Sequence, residues 1–70
     1  MSLNISHLQL IQTLVEEHTL TRTAQRLHLT QSALSHQLRN LEESLGIEIF
    51  HRLGKRMQLT QAGERLLRTA

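Results

Sequence analysis

The run Gln31-Ser32-Ala33-Leu34-Ser35-His36-Gln37 brings carboxamide, hydroxyl and imidazole groups close together along a short stretch of chain. These groups suit hydrogen-bonded recognition better than bond making. A carboxamide carries a donor and an acceptor side by side, so Gln31 can pair bidentately with the edge of an adenine. Nucleophilic catalysis would need more than Ser32 or Ser35 beside His36, because no third group orients the imidazole and a convex helix face offers no oxyanion site. His7, His18, His28, His36 and His51 include no pair at i and i+4, and the chain has no Cys or Asp, so no metal site is expected. Glu16-Glu17 and Glu42-Glu43 are adjacent pairs whose side chains diverge by about 100° on a helix. They are expected to be solvated helix ends and not an acid/base dyad. Phe50 is the single aromatic residue, which leaves no stacking platform for single-stranded nucleic acid. No catalytic residue and no cofactor is therefore expected in this chain.

A second group of residues suits phosphate. Arg22, Arg52, Lys55 and Arg56 supply charge, and Thr30 and Ser32 supply hydroxyls at the start of a helix, where backbone N–H groups also favour anions. Eight Lys and Arg against six acidic residues give a formal charge of only +2, but the signs are segregated along the chain. A modest net charge can thus coexist with one strongly basic face. Arg26 and Arg39 are weaker candidates, each expected to form an exposed ion pair with Glu42 or Glu43.

The elements that must carry these groups are legible from periodicity. Leu8, Ile11, Leu14 and Val15 recur at helical spacing, so residues from about Ser6 to Glu17 form an amphipathic first helix. Thr19 is an N-cap for a second helix ending near Leu27, with Leu20, Ala24 and Leu27 facing inward. His28-Leu29-Thr30 turns the chain, and Leu29 plugs the gap beneath the turn. Thr30 then caps a third helix that stops at Leu45 before Gly46, with Leu34, Leu38, Leu41 and Leu45 as its buried stripe. Two short helices joined by a tight turn are the signature of a DNA-reading helix-turn-helix. Beyond Gly46, Ile47, Ile49 and Phe50, the turn-like Leu53-Gly54-Lys55-Arg56 and Met57-Gln58-Leu59 predict a small β-hairpin. Thr60 caps a last helix with Leu66 and Leu67 on its apolar side.

This order predicts a mainly α winged helix-turn-helix, with a three-helix core, a hairpin wing and the start of a linker helix. Seventy residues make a single small domain, here divided into 1–59 for the winged unit and 60–70 for a truncated linker and dimerisation helix. With no Cys, stability must come from packing or association. The N-terminus lacks a signal-peptide layout, and no apolar run approaches the roughly 20 residues that span a bilayer. A cytoplasmic protein without membrane contact is expected.

The residues TRTAQRLHLTQSALSHQLRNLEESLGIEIFHR, followed by LTQAGERLL, resemble the N-terminal DNA-binding domain of LysR-type transcriptional regulators. The likeness covers essentially the whole chain, with its Leu-Gly, Phe-x-Arg and Leu-Thr-x-Ala-Gly elements in order. It implies that the third helix enters the major groove, with Ser35 and His36 joining Gln31 at base-facing positions. Many relatives carry Arg where this chain has His36, and prolines where it has Ser32 and Ala33. The imidazole reaches less far than Arg, so an Arg-to-guanine contact is not carried over. The resemblance further implies a homodimer or higher assembly on an inverted-repeat operator in double-stranded DNA, with Leu66 and Leu67 starting the dimer seam. A small-molecule inducer would act only through an effector domain absent from this sequence. Within the family, TQSALSHQ is similar to the subgroup controlling methionine biosynthesis. The alternative is a winged helix for protein association, which predicts apolar residues on the exposed face of the third helix. A general DNA coater predicts a larger basic excess than +2.

Overall fold

The structure is a computed structural model that describes residues 3–69; Ala70, the end of the expected linker segment, lies outside them. The order is α1 (Ile5–Glu17), α2 (Leu20–Arg26), α3 (Gln31–Leu45), β1 (Phe50–Leu53), β2 (Arg56–Leu59) and α4 (Gln61–Thr69). Each helix begins where a side chain can take up orphan N–H groups. The His7 N–H donates to Asn4 Oδ1 (2.9 Å), and the Asn4 N–H reaches back to His7 Nδ1 (3.4 Å), so histidine fills the usual Glu position of a capping box. Thr19 accepts from the Arg22 N–H (3.1 Å), Thr30 from the Ala33 N–H (3.0 Å) and Thr60 from the Gly63 N–H (3.0 Å). Gly46 closes α3 in the left-handed region at φ 71°.

The core joins Leu10, Ile11 and Leu14 of α1 to Leu20 and Ala24 of α2, Leu34, Leu38 and Leu41 of α3, and Ile49 and Phe50 at the foot of the hairpin. The buried face of α1 is rotated from the expected one: Leu10 and Thr13 are buried, whereas Leu8 and Val15 are only half-buried. α1 packs against both α2 and β2, so a wider face than a single stripe is covered. Thr23 is fully buried and satisfied, its hydroxyl donating to the Thr19 carbonyl (2.7 Å).

The hairpin pairs Phe50 with Leu59, His51 with Gln58, Arg52 with Met57 and Leu53 with Arg56. Gly54 opens its two-residue turn at φ 63°, the left-handed geometry that matches strand twist in tight hairpins. Ile47 and Ile49 precede the strand and do not alternate within it; Ile49 is fully buried. A lone two-stranded ribbon is marginal in water, and this one is tied down at three places. The Met57 N–H donates to the His18 carbonyl at the end of α1 (2.6 Å), and the Thr60 N–H to the Ile49 carbonyl (2.9 Å). The third tie is Glu42, whose Oε2 accepts from the N–H groups of Ile49 (2.7 Å) and Phe50 (3.2 Å). Glu42 is thus a half-buried bracket between α3 and β1 and not the solvated helix end its position suggested, because α3 ends against the base of the wing.

Gly63 is buried where α4 crosses the chain just before β1. A Cβ there would lie 3.0 Å from Leu59 Cδ2 and far inside contact distance of the Ile49 carbonyl oxygen, so any residue other than glycine must push this crossing apart.

Candidate nucleic-acid interface

Capping by Thr30 places Gln31 in the first helical position of α3, and the helical pitch then sets the rest of one face. Gln31, Ser32, Ser35, His36 and Arg39 line a single shallow groove along α3. Gln31, Ser32, His36 and Arg39 are exposed and Ser35 is half-buried, while Leu34, Leu38 and Leu41 point the opposite way into the core. The surface is polar throughout. Ile5 and Leu53 are the exposed large hydrophobics among the described residues, and neither is on α3.

A second cleft opens between the start of α2 and the tip of the wing, where Arg22, Arg52 and Lys55 converge with Thr21 and Gln31. Residues about thirty positions apart therefore face one space because the hairpin is fixed against α1 by the Met57–His18 bond and against α3 by the Glu42 bracket. Gln31 borders both the cleft and the α3 groove. The Thr21 hydroxyl donates to Gln31 Oε1 at 3.1 Å. Of the other phosphate candidates, Ser32 lies in the α3 groove, Thr30 uses its hydroxyl oxygen as the helix cap, and Arg56 is exposed at the start of β2 without lining the cleft.

Arg26 does not pair with Glu42 or Glu43. Its Nη1 donates to Glu16, and to Glu17 Oε2 at 3.2 Å, across the α1–α2 junction. The hydrogen bond that Arg26 donates to Glu16, followed by the one it donates to Glu17, holds the guanidinium pKa above its usual value. The two glutamates, expected to point apart into solvent, converge on one cation because α2 returns alongside the end of α1. Arg26 is thereby occupied away from the reading face. Arg39 is in none of the ion pairs among the described residues, and it stands on the groove instead. Its spacing of i+4 from Ser35 and i+8 from Gln31 is the sequence signal for that position, whereas Thr21 carries no such signal.

The histidines are dispersed, and no group of three or more metal-ligating side chains occurs among the described residues. Leu66 and Leu67 are half-buried and pack against the core, leaving part of each side chain open to solvent.

The profile of the bacterial regulatory helix-turn-helix proteins of the LysR family matches residues 5–64. The chain belongs to the LysR family. This LysR-family domain is 43% identical over 68 residues to the HTH-type transcriptional regulator MetR of Haemophilus influenzae, covering 97% of the chain and 22% of MetR. It is 40% identical over 63 residues to the RuBisCO operon transcriptional regulator of Allochromatium vinosum, covering 90% of the chain and 21% of that protein. It thus spans about a fifth of the length of these relatives. Among solved structures, the BenM_DBD/benA site 1 DNA complex superposes with a TM-score of 0.85 at 33% identity, over 96% of this chain and 75% of the other. The CbnR_DBD-DNA complex gives 0.84 at 27% identity, over 96% and 77%. The winged helix-turn-helix is therefore the fold of this LysR-family domain. None of its described helices is long and apolar enough to cross a membrane.

Proposed function

We propose that this chain is the reader domain of a LysR-type transcriptional regulator and binds double-stranded DNA sequence-specifically. The observation that carries the proposal is the adjacency of two surfaces that share Gln31: a polar groove on α3 and a basic cleft under the wing. In this reading the start of α3 enters the major groove, where each base pair displays a distinguishable pattern. Gln31, Ser35 and His36 read base edges. Arg22, Arg52 and Lys55, with Ser32, Thr30 and Arg56 at the margins, take phosphates and supply affinity without sequence choice. Arg39 joins the groove one turn beyond Ser35. The DNA complexes of BenM and CbnR support this assignment by fold and family. The polar face of α3 disfavours protein association, which would place apolar side chains there.

The role is recognition without catalysis, as in relatives that are transcriptional regulators. Two copies joined through α4, with Leu66 and Leu67 in the seam, would set two reading helices about one DNA turn apart on an inverted repeat. Any small-molecule inducer would act through an effector domain beyond this sequence. MetR and PtxR of Pseudomonas aeruginosa are each 43% identical over 68 residues, so the likeness speaks for the reader domain and not for a methionine regulon.

The test is Gln31→Ala, measured against single-base-pair variants of a duplex selected by the domain from a random pool. A loss of about 1–3 kcal/mol confined to particular base pairs is expected. An equal loss on every duplex would move Gln31 to the phosphate class.

A further inference from the structure

We propose that Thr21 is a positioning residue for base recognition, acting through the carboxamide of Gln31; this rests on the reading of Gln31 as a base contact. Thr hydroxyls in helices usually bond to nearby backbone, and here Thr23 does so, donating to the Thr19 carbonyl. Thr21 differs. From the second position of α2 it donates across the turn to Gln31 Oε1 at 3.1 Å, ten residues on. Both side chains are exposed, so the bond fills no buried need and its removal leaves no orphaned group in the core.

What the bond does is hold a flexible side chain. Gln loses substantial rotamer freedom when fixed, and a carboxamide that is already held loses less on binding. Thr21 holds Gln31 at the boundary between the α3 groove and the cleft of Arg22, Arg52 and Lys55. It does so without exhausting the amide, because a carbonyl oxygen has two lone pairs and both N–H donors of Nε2 stay available. An adenine can still receive the bidentate pair, with its N6 amine donating to the second lone pair of Oε1.

The experiment is a double-mutant cycle on the 70-residue chain, using a duplex it selects from a random pool and the single-base-pair variants of that duplex. Thr21→Val keeps the shape and removes the hydroxyl; Thr21→Ser keeps the hydroxyl. Thr21→Val is expected to weaken the selected duplex by about three- to tenfold, with the loss concentrated at the base pair that Gln31→Ala affects. Thr21→Ser should restore wild-type discrimination, and Thr21→Val should have no further effect in a Gln31→Ala background. The Gln31 side-chain NH2 should become more mobile by NMR relaxation in Thr21→Val, with the thermal midpoint unchanged. The inference is overturned if Thr21→Val binds like wild type, or if its loss is equal on all duplexes and persists without Gln31, which would make Thr21 a phosphate contact. If Gln31→Ala alone leaves every base preference intact, the reading of Gln31 fails first and the inference fails with it.

Discussion

The Glu42 bracket allows a stability prediction that can be worked from geometry. One carboxylate oxygen accepts from two backbone N–H groups, of Ile49 at 2.7 Å and Phe50 at 3.2 Å. These residues are 0% and 5% exposed, so little water can replace the acceptor. A hydrogen bond to a charged partner contributes about 1.5–3 kcal/mol net. The second bond is longer and shares its oxygen, so Glu42→Ala should cost about 2–4 kcal/mol in total. Glu42→Gln keeps a carbonyl acceptor without the charge and should cost about 1 kcal/mol, since charge assistance roughly doubles such a bond. For a domain of this size, Glu42→Ala would lower the melting temperature by roughly 10–25 °C. Urea unfolding followed by far-UV circular dichroism, with the midpoint and slope fitted for all three proteins, measures the effect. If both variants lie within about 0.5 kcal/mol of wild type, the bracket contributes nothing and the wing is held by other means.

Two further substitutions probe the frame and the wing. Gly63→Ala replaces a poor helix former with the best one, a gain of about 1 kcal/mol at most sites. Here the Cβ meets the Ile49 carbonyl and Leu59, so a net loss of about 1–2 kcal/mol is expected in the same unfolding assay, and a gain would contradict the crossing geometry. Lys55→Ala should weaken all duplexes alike and reduce the slope of log K against log salt by about one unit. An unchanged slope in fluorescence anisotropy titrations would remove the wing tip from the phosphate contacts.

The caps and the apolar period of α3 were legible in the sequence, because Thr30 and Gly46 act within a few residues and Leu34, Leu38 and Leu41 repeat on one helix face. The groove residues on the opposite face followed from the same period. What was not legible depended on how distant segments meet. Glu42 reads as an ordinary exposed acid until α3 is seen to end against Ile49 and Phe50. Arg26 has Glu42 and Glu43 downstream in sequence, yet the return of α2 alongside α1 gives it Glu16 and Glu17. Leu10 and Thr13 were hidden because a single-stripe template cannot anticipate a helix covered on two sides. The bond from Thr21 to Gln31 crosses the turn and leaves no periodic trace.

The central claim is that the polar start of α3 selects among DNA sequences. The most direct measurement is an equilibrium titration of this chain against a duplex it selects from a random pool and against a scrambled duplex of equal length and composition, at about 150 mM salt. The account predicts markedly tighter binding to the selected duplex, with the difference surviving at that salt while the weak common affinity fades. Equal affinity for the two duplexes would contradict it.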